Sequence, residues 1–329
     1  MWKILQKVNK NLIIAIPLFL LGGFIFGISV DPAMSQKLKS LIVPLTILMV
    51  FPMMVTLNIG NLRKGLNYKL QATAQLINFI IIPIAAFVLG KIFFPDQPFL
   101  ALGLLLASLL PTSGMTISWT GFAKGNMGAA INMTVIGLTL GSIVTPFYVQ
   151  GMMGATIEIN LLKIAYQILV IVFLPMAIGQ ITRQILLRRY SPDEFKKTIG
   201  PRFPAISSLG VLGIVFVAMA LKARGIMAEP QLLAGILIPL LILYSFNFTI
   251  STLIGRTLFQ RGDAIALVYG TVMRNLSIAL AVAINAFGQE GSHAALVIAL
   301  AYIIQVQSAA WYVKLTDRFF GASPLSSSA

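Results

Sequence analysis

Two short stretches set groups capable of binding chemistry inside otherwise apolar sequence. The first, "PTSGMTIS", gathers Thr112, Ser113, Thr116 and Ser118 behind Pro111. The second, "GTVMRNLS", gathers Thr271, Arg274, Asn275 and Ser277 behind Gly270. Each places a threonine and a serine six residues apart around a polar centre. Proline deletes a backbone donor and glycine loosens a helix, so backbone groups at both places leave the helical ladder. Within hydrocarbon such groups are costly unless protein, water or a ligand takes them up. Released backbone flanked by hydroxyls and amides suits a small ion or a polar substrate. The plainer alternative is a kinked, packed helix whose hydroxyls bond back to the preceding turn.

Arg274 is the single charge well inside an apolar segment; all nine acids fall in connections or near segment ends. An arginine at such depth costs at least ~2.5–3.5 kcal/mol on insertion scales. Carbonyls, water or an anion must offset that. Two binding roles stand side by side: paired hydrogen bonds to a substrate carboxylate or sulfate, or a fixed charge standing where a cation would bind. A third reading shifts the segment so that the guanidinium snorkels to the interface. On a continuous helix Gly270, Arg274 and Ser277 share one face, with Thr271 and Asn275 beside it and Asn285 further along.

The elements that carry these residues follow from composition. Of 329 residues, 58% are hydrophobic and 10% charged, with a mean hydropathy of +0.91; soluble domains carry about a quarter charged residues. Apolar runs long enough to cross a bilayer core of ~30 Å recur at 11–29, 39–60, 68–91, 99–121, 126–150, 160–182, 203–222, 231–255, 264–288 and 293–315. The fold class predicted is an all-α polytopic membrane protein of ten transmembrane helices. With the N-terminus in the cytoplasm, the alternating loops hold 17 Lys and Arg inside and 6 outside. Lys3, Lys7, Lys10, Arg63, Lys64, Lys69 and the run from Arg183 to Arg202 supply most of the inner set. That asymmetry is the positive-inside rule. It puts both termini in the cytoplasm and assigns the basic excess to orientation and lipid contact, with no nucleic-acid partner implied. The first segment reads as a true span with no cleavable leader.

The polar stretch from Arg188 to Phe203 divides ten spans five and five. Halves with an odd number of spans must be inverted relative to one another, a plan of many secondary transporters. The halves predicted are 1–155 and 156–329. Span four then corresponds to span nine, and the two interrupted stretches fall at matching positions, the sequence pointer to a central site.

Enzymatic alternatives lack their residues. The chain has no cysteine, its one histidine, His293, lies at a loop edge, and its spans hold no carboxylate pair. Thiolate, metal-hydrolase and aspartyl chemistry are thereby excluded, and no cofactor is implied beyond a sodium ion. A channel would require a continuous polar path, whereas the polar residues concentrate at two breaks.

At these residues the sequence resembles the bile acid:sodium symporter family and its arsenite-permease relatives. The resemblance rests on "LLPTSGMTISWTGFAKGNMGAAINMT" (Leu109 to Thr134), on "FPMM" (Phe51 to Met54), on "LNIGNLRKG" (Leu57 to Gly65) and on "YGTVMRNLSIALAVAINAFG" (Tyr269 to Gly288). It implies a core of spans 3–5 and 8–10 and a panel of spans 1, 2, 6 and 7. Broken helices 4 and 9 would cross near the bilayer midplane, with alternating access as the core moves against the panel. It also implies a small or amphipathic organic anion as substrate. Sodium would be held by Thr116, Asn132 and Thr134, with Asn78 in support ahead of Pro83. Departures are specific. The family's glutamate in span nine is absent from the corresponding run, Gly270 to Asn275, the glutamine after it is replaced by Arg274, and a span-five hydroxyl by Ala130; the arsenite branch's cysteine and glutamate become Thr112 and Ile278. The central site expected comprises Asn78, Thr112, Ser113, Thr116, Asn132, Thr134, Thr271, Arg274 and Asn275.

Lesser polar groups receive structural expectations. Gln305 and Gln307 are expected to hydrogen-bond between helices. Ser245, Asn247, Thr249 and Ser251 line a cavity or pack. Gln71 and Gln75 face the core or mark a span end. Trp2, Trp119 and Trp311 sit near span ends, where indole prefers the interface, and the 14 methionines fill the core.

Overall fold

Prolines and long apolar runs set the helix plan. The computed structural model describes residues 11–31, 34, 37–56, 67–228, 230–288 and 290–321. Trp2, Lys3, Lys7, Lys10, Arg63, Lys64 and the Leu57 to Gly65 run lie outside these. Twelve principal helices are described: α1 (Leu12–Ser29), α2 (Ile42–Thr56), α3 (Tyr68–Phe93), α4 (Pro98–Leu109), α5 (Gly114–Phe122), α6 (Met127–Met153), α7 (Leu161–Arg189), α8 (Arg202–Ala228), α9 (Gln231–Leu258), α10 (Arg261–Val272), α11 (Leu276–Phe287) and α12 (Gly291–Phe320). Helical turns at Leu38–Leu41 and through Pro192 to Ile199 precede α2 and α8. Among the described residues, six helices are long and apolar enough to cross a membrane, and four shorter apolar ones join them. Large apolar side chains such as Leu18, Phe147, Leu162 and Leu253 lie exposed on their outer faces, where a soluble protein would carry charge. The chain is a polytopic helical membrane protein.

Two prolines distort their helices in the same way. Pro83 and Pro175 each follow a widened π turn, Ile77–Ile81 in α3 and Leu169–Phe173 in α7. A proline ring leaves the carbonyl four residues earlier without its donor. In α3 that carbonyl belongs to Phe79, and the Tyr148 hydroxyl of α6 donates to it. The widened turn also carries Asn78, whose side chain is fully buried.

Helices pack in two groups. α8 lies along α1 and α2, and the second half of α7 packs on α2. α3, α4, α6, α9, α10, α11 and α12 pack among themselves, with α5 against α6 and α10. Contacts of α12 with α1 and α8, of α11 with α2 and α7, and of α6 with α7 join the groups. Without a hydrophobic drive in lipid, helices associate through close packing of small residues. A Cβ on Gly23 would meet Phe216 O at 2.4 Å, and one on Gly27 would meet Ala220 O at 2.3 Å. Neither backbone atom can yield cheaply. Gly27→Leu is expected to force α1 off α8 and destabilise by ~1–3 kcal/mol through overpacking. Thermal unfolding in detergent measures this; an unchanged melting temperature would refute the close approach.

One end of the second group is tied by polar contacts. Arg261 at the start of α10 pairs with Asp317 of α12 at 2.5 Å and donates to Lys124 O and Gly321 O. Asp263 accepts from Asn67 at 2.9 Å and from Asn126 at 2.7 Å. The far ends of α5 and α10 are thus held, which leaves their other ends to meet in the interior.

Candidate functional site: two helix breaks joined back to back

Both interrupted stretches are breaks. α4 ends at Leu109 and α5 starts at Gly114; α10 ends at Val272 and α11 starts at Leu276. The extended residues between them pair as a two-residue antiparallel bridge, Pro111 against Arg274. Thr112 N donates to Met273 O at 2.7 Å, and Asn275 N donates to Leu110 O at 2.7 Å. Backbone groups that the helices released are therefore satisfied by one another. The third partner is a side chain. Gln305 of α12 accepts from Arg274 N at 2.8 Å and donates to Arg274 O at 3.2 Å, as a neighbouring strand would. The Tyr244 hydroxyl donates to the same Gln305 oxygen at 3.0 Å.

The helical face predicted for Gly270, Arg274 and Ser277 is corrected by this geometry. Met273, Arg274 and Asn275 are not helical, so a regular spacing does not relate the residues on either side of them. Gly270 and Thr271 belong to the last turn of α10, and Ser277 to the first turn of α11, where its hydroxyl meets that of Tyr302.

Each new helix start is capped from within its own break. Ser113 Oγ accepts from Met115 N, and Thr116 Oγ1 accepts from Ser113 N, a reciprocal capping box. Asn275 Oδ1 accepts from Ile278 N at the head of α11. Thr112 carries φ of 67°, a left-handed backbone that a β-branched residue rarely adopts. Its hydroxyl donates toward Pro111 O and Thr134 O. Holding an L-residue there costs ~1–2 kcal/mol. Thr112→Gly is consequently expected to be more stable than Thr112→Val by about that amount, since both lose the hydroxyl and only glycine loses the strain. Equal melting temperatures would remove the strain.

The carbonyls at the end of α10 are also taken. Asn78 Nδ2 donates to Gly270 O at 3.0 Å and Asn247 Nδ2 to Thr271 O at 2.9 Å. Thr271 Oγ1 bonds back into its own helix and lies 2.6 Å from Ser251 Oγ. Thr134 likewise donates to Ala130 O, and Ser118 to Gly114 O. The plainer reading of hydroxyls bonding to the preceding turn therefore holds for these residues, alongside the broken helices. All nine expected site residues are buried. Thr112, Ser113, Arg274 and Asn275 lie in the breaks; Thr116 and Thr271 lie one turn away; Asn78 and Thr134 contact the breaks through the bonds above. Asn132 is buried on α6, in the same turn as Thr134.

Arg274 does not snorkel. Only 3% of its surface is exposed, and both its terminal nitrogens lack a hydrogen-bond partner. Arg274 lines a small cavity of ≈ 10 Å³ with Ser108, Tyr244 and Asn247 among apolar neighbours from α3, α4, α9 and α10. Ser108 sits in the last turn of α4, and Val272 ends α10. The opposite side of the crossing faces α2: a Cβ on Gly114 would lie 3.8 Å from the Met53 methyl, and α11 packs on α2 and α7.

Sequence reasoning placed Gln305 between helices and left Asn247 and Ser251 open between cavity and packing; all three make buried contacts at the second break. Ser245 and Thr249 are exposed on the other face of α9. Tyr244 and Ser108 were missed. Tyr244 shares a face with Asn247 and Ser251 by the i, i+3, i+7 rule, a signal available in the sequence. Trp119 is half-buried and Trp311 exposed.

Comparison with known proteins finds relatives by sequence. Residues 43–229 match the Sodium Bile acid symporter family. Uncharacterized protein YbaS of Bacillus subtilis is 22% identical over 264 residues, 80% of this chain and 84% of its own length. Arsenical-resistance protein Acr3 of Corynebacterium glutamicum is 23% identical over 237 residues, 68% of this chain and 64% of that protein. Sodium/bile acid cotransporter 7 of Xenopus tropicalis is 26% identical over 228 residues, covering 65% and 63% of the two chains. The matched segment runs from α2 to the end of α8 and takes in the first break whole, with its proline and its capping serine. The chain belongs to the sodium bile acid symporter family of membrane transporters.

Proposed function

We propose that the protein is a secondary carrier of a small or amphipathic organic anion in the cell membrane, working by alternating access. On this reading its ten spans form two inverted repeats, 1–155 and 156–329, with both termini cytoplasmic. Spans 1, 2, 6 and 7 act as panel; spans 3–5 and 8–10 act as core. The observation that carries the reading is the back-to-back pairing of the two breaks, buried between the helix groups. Thr112, Ser113, Thr116, Asn132, Thr134, Thr271, Arg274, Asn275 and Asn78 are the residues assigned to the central site.

A second reading, independence from sodium, is favoured by where Arg274 sits. Half-helix C-termini are the negative ends that hold cations in broken-helix transporters, and N-termini face anionic substrate groups. The guanidinium lies beside the C-terminal turns of α4 and α10, on the side away from α2. The residues there disfavour a sodium ion. No carboxylate is present, the Gly270 and Thr271 carbonyls already accept amide donors, and a fixed positive charge repels the ion. The N-termini of α5 and α11 remain for the substrate anion.

Purified protein in liposomes tests both readings, with labelled taurocholate, short monocarboxylates and arsenite as probes in sodium or potassium medium. Saturable uptake with countertransport, equal in the two media, is expected. Ohmic currents or an absence of saturable uptake would overturn the carrier. Uptake that requires sodium would overturn the fixed-cation reading alone. Arg274→Gln, which restores the family's amide, is expected to make uptake sodium-stimulated.

A further inference from the structure

We propose that the cavity beside Arg274 is a binding site for a monatomic anion, a halide, which serves as the arginine's resident counter-ion. This goes beyond the transport reading and does not depend on it. A buried lysine can lose its proton, but guanidinium stays charged at any pH a protein survives. The charge here is therefore permanent, and it lies among residues that are all buried. Leaving an ion uncompensated in such surroundings is heavily unfavourable, so buried charges are paired. No acid among the described residues does the pairing. Among the described residues every acid is exposed except Asp263, and Asp263 is occupied by Asn67 and Asn126 at the far end of α10.

The cavity has the donors an anion needs. Both terminal nitrogens of Arg274 are buried without a partner, and Arg274 is one of the residues that line the cavity. Asn247 Nδ2 spends one hydrogen on Thr271 O and keeps its second. The Tyr244 and Ser108 hydroxyl protons point elsewhere, to Gln305 and Leu105 O. Size then selects the ligand. A space of ≈ 10 Å³ is close to the least that holds one water. A carboxylate, with three heavy atoms and a carbon chain behind it, does not enter. A single-atom anion asks the smallest displacement of any anion, although a halide is larger than water and the lining must move outward to admit it. This separates the site from the substrate's place on the α2 side of the crossing. It also explains how a transporter can keep an arginine where a cation belongs without an acid to balance it.

The test uses the full chain in detergent with sodium held constant and no organic substrate present. Chloride and bromide are titrated against gluconate and sulfate at matched ionic strength, and thermal unfolding is followed. Expected is a saturable rise in melting temperature with either halide, absent with the larger anions. Bromide soaked into crystals should give one anomalous peak within hydrogen-bonding distance of the Arg274 guanidinium. Arg274→Gln should lose the halide response; if that variant fails to fold, the bromide peak on the unaltered protein still decides. Equal responses to all four salts, a halide response retained in Arg274→Gln, or bromide density anywhere but this cavity would overturn the proposal. Because the readout is binding, a failure of uptake in liposomes leaves it standing.

Discussion

Gln305→Leu should lower the stability of the folded protein by ~2–6 kcal/mol and abolish transport. The substitution keeps the side chain's bulk and removes both of its hydrogen bonds to the Arg274 backbone. That N–H and that carbonyl then lie buried with no partner, and each stranded group costs ~1–3 kcal/mol. The Tyr244 hydroxyl loses its acceptor as well. Nothing nearby replaces the bonds, since the other edge of the extended segment is already occupied by Leu110 and Thr112. Gln307→Leu is the control: Gln307 is half-buried two residues further along α12, on a different face. Melting temperatures in detergent compare the two. If they fall equally, the effect belongs to α12 as a whole and Gln305 is no clamp.

Gly141→Val should reduce uptake at least tenfold while leaving the helix content intact. Gly137 and Gly141 lie one turn apart on α6 and form the seat of the first break. A Cβ on Gly141 would stand 2.7 Å from Pro111 Cδ and 3.2 Å from Leu109 O; one on Gly137 would stand 2.9 Å from Thr112 Oγ1. Proline and backbone cannot swing aside as a long side chain can. Valine must therefore push the α4 end away from α6, and with it the two 2.7 Å bonds between the breaks. Overpacking of this kind costs ~1–3 kcal/mol, and displacement by even an ångström at a binding constellation is costly to function. Gly151 lies on the same helix with nothing within 4 Å of an added Cβ. Gly151→Val should behave as the unaltered protein. Uptake by Gly141→Val at the unaltered rate would mean that the breaks tolerate separation.

Much of this protein was legible in one dimension. Apolar run length requires helices that satisfy their own backbone in lipid, and proline weakens a helix without always ending it: Pro17, Pro52, Pro146 and Pro239 lie inside continuous helices, whereas Pro111, followed by hydroxyls and Gly114, lies in a break. The helical class follows from run length, and the polar residues behind Pro111 and Gly270 marked the places of the two breaks; that Ser113 caps α5 came from the structure. The loss of the family's glutamate and the arrival of Arg274 were equally plain. Partnership across the fold was not. That Asn247 serves Thr271 O, that Tyr148 answers the carbonyl freed by Pro83, and that Gln305 acts as a strand depend on which helix faces are brought together. The direction of Arg274 was decided in the same way. Periodicity put it on a helical face with Gly270 and Ser277, because sequence spacing assumes a continuous helix. The bridge to Pro111 removes that continuity and turns the guanidinium toward α4 and α9. Local sequence marks where a chain can leave its helix; only tertiary packing determines which groups receive the backbone and charge thus released, since those partners lie many residues away along the chain.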